Sequence, residues 1–183
     1  MKKVFLFLAE GFEETEAVAT TDVMLRGELD VTTVSITGNR LVTGAHGIVV
    51  QADALFENTD FSKGELLVLP GGMPGASNLN AHQGLKNLLL QYAKEGKKLA
   101  AICAAPLVLG GLDLLQGKKA TAYPGFESTL KGAEYVNAAV VKDGNIITGR
   151  GPGFAFDFGL AIVEELQGKA KADEVAGGLL FNS

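Results

Sequence analysis

The chain has 183 residues, of which 47% are hydrophobic and 20% are charged, and its formal net charge is −5. This length and balance predict one globular domain over residues 1–183. No block of lysine or arginine is present, which argues against nucleic acid or a membrane surface as a partner. A single cysteine allows no internal disulfide, and we recognise no signal peptide or transmembrane run, so we expect a cytoplasmic protein.

Short apolar runs alternate with longer segments of helical period, and this alternation predicts a mostly parallel sheet between two layers of helices. A pair of short strands at 40–43 and 48–51, joined by Gly44-Ala45-His46-Gly47, predicts a small β-hairpin. The other predicted strands are residues 4–8, 31–36, 65–69, 98–102, 119–122, 138–141 and 146–148, and the predicted helices are residues 14–26, 81–94, 154–166, 173–180 and a short helix from Ala104. The fold class is therefore α/β, a three-layer sandwich plus a hairpin.

Four unusual loops follow predicted strands of this sheet. Their sequences are AEGFEETE, LPGGMPGAS, ICAAP and GRGPGF. Ligands of an open α/β sheet bind beyond the carboxyl ends of its strands. If the four strands are parallel neighbours, the four loops meet at one edge and form the candidate site.

Cys103, the only cysteine, stands where a strand gives way to a helix, in Ala101-Ile102-Cys103-Ala104-Ala105. Small residues two positions on either side of a nucleophile permit the sharp turn called a nucleophile elbow. A helix N-terminus above the sulfur would favour the thiolate. The alternative is that Cys103 is a small hydrophobic residue of the core.

Glutamates crowd the loop after the first strand. Glu14 fits an exposed first helical turn, where acids suit the helix dipole. Glu13 and Glu16 lie three residues apart on a similar face, so Glu16 can turn towards the cysteine. Buried there, Glu16 would keep its proton and donate a hydrogen bond to the sulfur.

Glycines in LPGGMPGAS allow close approach of the backbone to a ligand. The N–H groups of Gly72 and Ala104 are candidates for an oxyanion hole, with an ordinary turn as the alternative. Histidine is scarce: His46 lies in the hairpin turn and His82 at a helix start, and each fits a surface position better than a catalytic one. Arg150 is a candidate for binding an anionic group, although a structural ion pair is the simpler interpretation.

Together the motifs GFEETEAV, DVMLRG, LPGGMPGASNL, AAICAAP and GRGPGFAFDFGLAIVEEL resemble the ThiJ/PfpI family, in particular its parkinsonism-associated deglycase-like branch. The resemblance implies the flavodoxin-like fold of the class I glutamine-amidotransferase-like superfamily. It further implies a reactive Cys103, a protonated Glu16, oxyanion donors Gly72 and Ala104, a homodimer, and no metal or organic cofactor.

Three positions depart from the family pattern. Ala104 stands where the proteolytic branch has histidine, which disfavours an intracellular peptidase or amidohydrolase. Tyr123 stands where the deglycase-like branch has a histidine, and a phenol is a weaker base at neutral pH. Close relatives line the pocket with two arginines; Arg26 matches one of these, and His46 replaces the other.

We therefore hypothesise a cofactor-independent enzyme that acts on small reactive carbonyls, of glyoxalase III or deglycase type, in stress protection. Cys103 would attack the aldehyde and Glu16 would move the proton. One alternative is a redox sensor or stress chaperone that works through oxidation of Cys103. Another is a dimeric binding module in which the cysteine is inert.

Overall fold

The computed structural model describes residues 1–181. Its strands and helices alternate along the chain in the predicted manner. The strands are β1 (Lys3–Leu8), β2 (Asp30–Ser35), β3 (Leu41–Thr43), β4 (Val49–Gln51), β5 (Ala54–Leu55), β6 (Leu66–Leu69), β7 (Lys98–Ile102), β8 (Lys119–Ala120), β9 (Glu134–Tyr135), β10 (Val140–Asp143) and β11 (Ile146–Gly149), and the helices are α1 (Glu14–Arg26), α2 (Gly75–Ala81), α3 (Gln83–Lys94), α4 (Pro106–Gly111), α5 (Ala155–Gln167) and α6 (Lys169–Gly178).

Seven strands form the central sheet in the order β10-β11-β7-β6-β1-β2-β5. Every neighbouring pair in it is parallel except β10 with β11. Strands β3 and β4 form a separate antiparallel hairpin, and β8 and β9 a separate parallel pair. The predicted three-layer α/β sandwich with a mostly parallel sheet and a small hairpin is confirmed.

Strand β1 shows why the sheet is buried on both faces. Val4, Leu6 and Leu8 pack on one side with α1, α5 and α6. The alternate residues Phe5 and Phe7 pack on the other side with α2, α3 and α4. Full burial of each such side chain contributes about 1.5–3 kcal/mol, so a strand between two helical layers is apolar throughout.

Several boundaries differ from the prediction. Helix α2 was missed because its sequence, GASNLNA, is rich in residues with low helix propensity. Strands β5 and β9 have two residues each, too few to show a period. Helix α4 begins at Pro106 rather than at Ala104, since proline is favoured at the first helical position. Helix α6 begins at Lys169, four residues earlier than predicted, directly after the turn at Gly168.

The four unusual loops do converge. Strands β11, β7, β6 and β1 are parallel neighbours, so their carboxyl ends share one edge of the sheet. Their last residues are level, because Ala101 of β7 pairs with Leu69 and Ile102 pairs with Gly149. Within residues 1–181, no helix is both long enough and apolar enough to cross a bilayer.

Candidate active site

Cys103 occupies a strained backbone position between β7 and α4. Its φ is +65°, a left-handed conformation that costs a residue with a side chain about 1–3 kcal/mol. The Cys103 N–H donates to the Gly149 carbonyl at 2.9 Å, and the Cys103 carbonyl accepts from the Tyr123 N–H at 2.9 Å. These bonds hold the turn from both sides, and the geometry is that of the predicted nucleophile elbow.

Gly71 is required by the close packing around this turn. A Cβ atom at Gly71 would lie 2.6 Å from the Cβ of Cys103 and 2.8 Å from Oε2 of Glu16. The neighbouring Gly72 has φ +87° and lies against the backbone of Glu13. The two glycines thus let the loop after β6 pass directly beside the thiol.

Two backbone N–H groups point at the sulfur. Those of Gly72 and Ala104 both hydrogen-bond the Cys103 side chain. They are the donors expected for an oxyanion hole, and they already converge on the atom from which a tetrahedral intermediate would grow.

Glu16 is fully buried beside the thiol. Its Oε2 accepts the Gly71 N–H at 2.7 Å, whereas Oε1 has no nitrogen or oxygen partner. The carboxyl group interacts with the Cys103 side chain. Burial, opposed by these hydrogen bonds and reinforced by the charge of Glu13, raises the pKa of Glu16 to about 7.

The thiol pKa moves in the direction opposite to the one expected from the helix N-terminus. Burial, followed by the charge of ionised Glu16, raises the pKa of Cys103 to about 12, although the N–H groups of Gly72 and Ala104 oppose the rise. Helix α4 begins three residues beyond Cys103 and has only 6 residues, so its dipole does not outweigh desolvation. The Cys103–Glu16 pair therefore gives up the first of its two protons near pH 7, and the two groups share the remaining proton above that pH.

Glu13 caps helix α1 next to this pair. Its Oε2 accepts the Glu16 N–H at 2.7 Å, and its own N–H donates to the Gly71 carbonyl at 2.9 Å. Glu13 is 9% exposed. It therefore joins the acidic loop to the glycine loop and fixes the position from which Glu16 reaches the sulfur.

The expectation that Glu14 projects into solvent is wrong. Its carboxylate is buried under the hairpin turn, where it accepts the His46 N–H at 2.6 Å and lies 2.7 Å from His46 Nδ1. The hydrogen bonds from His46 lower the pKa of Glu14 despite its burial, and the carboxylate in turn raises the pKa of His46. Helical position alone did not reveal this contact, because His46 lies 32 residues away along the chain.

The remaining pocket candidates separate into two groups. Tyr123 and Arg150 line a cavity of about 220 Å³ together with residues of the GRGPGF loop. Arg150 makes no ion pair among residues 1–181, so the simpler interpretation was wrong, and its buried Nε has no hydrogen-bond partner. Arg26 instead pairs with Asp22 at the far end of α1, roughly 18 Å along the helix from Glu14, so one chain does not bring it to the site.

Neither histidine hydrogen-bonds to Cys103. His82 caps helix α3, where its Nδ1 accepts the Leu85 N–H at 3.0 Å, and His46 is held by Glu14. The Gly149 carbonyl, which accepts the Cys103 N–H, was not predicted from the sequence. This contact depends on the register in which β11 pairs with β7, and the register cannot be read from either strand alone.

A protein-family model described as the DJ-1/PfpI family matches residues 2–165. The chain belongs to the DJ-1/PfpI family. Protein DJ-1 homolog A of Arabidopsis thaliana is 43% identical over 183 residues, covering 98% of this chain and 47% of that protein. The chain thus spans about half the length of this plant DJ-1/PfpI relative. The glutathione-independent glyoxalase DJR-1.2 of Caenorhabditis elegans is 31% identical over 173 residues, covering 94% of this chain and 92% of that protein.

Solved DJ-1 structures share the whole fold. Drosophila melanogaster DJ-1beta superposes with a TM-score of 0.95 and 38% identity, covering 100% of this chain and 99% of that chain. Oxidized Toxoplasma gondii DJ-1 superposes with a TM-score of 0.96 and 34% identity, covering 100% of both chains. The flavodoxin-like fold and the family resemblance expected from the motifs are confirmed.

Proposed function

We propose that this DJ-1/PfpI protein is a cofactor-independent, cysteine-dependent enzyme that acts on small reactive carbonyls such as methylglyoxal. The observation that carries the proposal is the environment of Cys103, where two backbone N–H groups and a buried carboxyl group converge on one sulfur. A relative named as a glutathione-independent glyoxalase supports the same class of chemistry.

The first step makes a hemithioacetal. The shared proton moves to Oε1 of Glu16, which has no nitrogen or oxygen partner, and the Cys103 thiolate attacks the aldehyde carbon. A sulfur–carbon bond forms while the carbonyl π electrons pass to oxygen. The N–H groups of Gly72 and Ala104 stabilise the resulting alkoxide, and Glu16 then returns the proton to it.

Glu16 also serves the second step. Its carboxylate removes the proton from C1 of the hemithioacetal, which gives an enediolate, and delivers a proton to C2. The product is a thioester of lactate. Water hydrolyses this thioester, releasing lactate and the free thiol, so that methylglyoxal and one water give lactate with no net redox change.

The test is lactate formation from methylglyoxal. We expect Cys103→Ser and Glu16→Gln each to lower kcat/KM by at least about 100-fold, the usual contribution of a nucleophile or a general acid–base group. His82→Asn serves as the matched control, because asparagine preserves the cap of α3. Equal rates in wild type and Cys103→Ser would refute the proposal.

A second function, redox sensing with or without a chaperone role, is favoured by the same three groups. Oxidation by peroxide would place sulfinate oxygens where the N–H groups of Gly72 and Ala104 and the proton of Glu16 can bind them. A related DJ-1 structure is described as oxidized. Mass spectrometry after mild peroxide should then show two added oxygens on Cys103, and no change there would exclude this function.

The homodimer implied by the family remains part of the proposal, as does a cytoplasmic location, where the thiol stays reduced. Val18 and Leu25 of α1 and Ile48 and Val49 of the hairpin region are each more than half exposed. Side chains of this size leave an apolar face that a second copy would cover. We expect light scattering to give a dimer, and Leu25→Glu to give a monomer.

A further inference from the structure

Three metal-ligating side chains meet at the start of α1, next to the Cys103–Glu16 pair. They are Glu13, Glu14 and His46. One oxygen from each carboxylate and one ring nitrogen of His46 all lie within 4.8 Å of one another. Two neighbouring glutamates alone would be an ordinary acidic helix start, but here a histidine from a different segment completes the group.

Backbone hydrogen bonds hold together the two segments that carry these groups. The hairpin is tied to the loop before α1 by the Gly11 N–H, which donates to the Thr43 carbonyl at 2.8 Å, and by the Ala45 N–H, which donates to the Phe12 carbonyl at 2.8 Å. Gly44 lies directly against the Glu14 carboxylate, so a larger residue there would displace it. Ligands fixed by such supporting bonds need little rearrangement to receive an ion.

The spacing is close to that of a metal site. A tetrahedral Zn²⁺ with bonds of about 2.0–2.2 Å keeps its ligand atoms about 3.4 Å apart. His46 Nδ1 and Glu14 Oε2 are 2.7 Å apart. For an ion to replace the proton between them, these two atoms need to move apart by less than about 1 Å. The His46 side chain is 70% exposed, which leaves the ion accessible and a fourth position open to water.

We propose that Glu13, Glu14 and His46 form a binding site for a divalent transition-metal ion, with Zn²⁺ as the best match. One imidazole and two carboxylates suit Zn²⁺, whereas Mg²⁺ and Ca²⁺ prefer six or more oxygen ligands. Two carboxylates also balance the charge of a dication. The family resemblance implied no metal, so this site goes beyond what the resemblance predicts.

Zn²⁺ titration of the untagged protein by calorimetry tests the proposal. We expect about one Zn²⁺ per chain, with binding weakened at least about tenfold in His46→Asn and in Glu13→Gln. Glutamine at 13 keeps a carbonyl oxygen for the Glu16 N–H, so helix α1 stays capped while the anionic ligand is lost. His82→Asn removes the other histidine and should bind Zn²⁺ like wild type.

Cys103→Ala separates this site from any metal binding by the thiol. If the proposal holds, Cys103→Ala binds Zn²⁺ with wild-type affinity. Co²⁺ bound to the wild-type protein then gives d–d bands without a thiolate charge-transfer band. Equal affinity in wild type, His46→Asn and Glu13→Gln would overturn it, as would loss of binding in Cys103→Ala or no binding to wild type. The result does not depend on the proposed carbonyl chemistry, because Cys103→Ala lacks the nucleophile for that chemistry and is still expected to bind Zn²⁺.

Discussion

Glu16→Gln should change how the stability of the protein depends on pH. In the folded protein burial raises the pKa of Glu16 from 4.5 to about 7. Between these two pH values the native state keeps a proton that the unfolded chain has lost, so the free energy of unfolding falls as pH rises through this window. A rise in pKa of this size corresponds to about 3 kcal/mol, present as a penalty above pH 7 and absent below pH 4.5.

Glutamine removes the penalty and keeps most of the contacts. Its carbonyl oxygen can accept the Gly71 N–H, while its amide group faces Cys103. We therefore expect wild type to lose up to about 3 kcal/mol more than Glu16→Gln between pH 4.5 and pH 8. The pH dependence of the free energy of unfolding reports the first proton that the Cys103–Glu16 pair loses. It does not depend on whether Cys103 or Glu16 keeps the second proton.

The assay is urea unfolding at fixed protein concentration across this pH range. Glu164→Gln is the control, because it removes an exposed carboxyl group and should follow the wild-type profile. Parallel profiles for wild type and Glu16→Gln would refute the reasoning, since they would mean that burial does not retain the Glu16 proton.

Three further predictions concern the same site. Alkylation of Cys103 by iodoacetamide should accelerate through an apparent pKa near 7 in wild type, where the pair loses the first of its two protons, and only above about pH 8.5 in Glu16→Gln. Gly71→Ala should lower the free energy of unfolding by about 1–3 kcal/mol in urea unfolding, because its Cβ overlaps Cys103, and an unchanged midpoint would contradict the packing argument. Tyr123→His should raise lactate formation at least about tenfold by adding a second general base beside Cys103, and an unchanged rate would contradict the view that the lack of a histidine base limits turnover.

The fold was predictable because its strands carry a strong signal. A parallel sheet buried on both faces demands runs such as the VFLFL of β1, and glycines mark where these runs end. The helices α1 and α5 were found for the same reason, through apolar residues at helical spacing. Short elements such as α2 and β9 had no such signal, since their existence depends on tertiary contacts rather than on a local pattern.

The candidate site was predictable as far as it depends on local chain geometry. Small residues around Cys103 and paired glycines after β6 mark places where the backbone must turn sharply or pass closely. The burial of Glu14 beneath His46 joins two segments that are distant in sequence. The direction in which the pKa of Cys103 shifts likewise depends on how deeply the thiol is buried. The spacing of residues along the chain does not reveal that burial.

Neither histidine of the chain hydrogen-bonds to Cys103, and this limits which chemistry the site can complete. Apart from the aldehyde or the peroxide that reacts with it, formation of a hemithioacetal and oxidation to a sulfinate each call on the sulfur, the two N–H donors and the carboxyl group of Glu16, which lie together here. Turnover additionally needs a base that takes a proton from carbon and returns it, and among these groups only Glu16 can do so. A pKa near 7 makes Glu16 suited to both directions of transfer at neutral pH. The proposed catalysis without a histidine therefore depends on the same burial that raises the pKa of this carboxyl group, so a substitution that lets water reach Glu16 is expected to lower lactate formation before it lowers the free energy of unfolding.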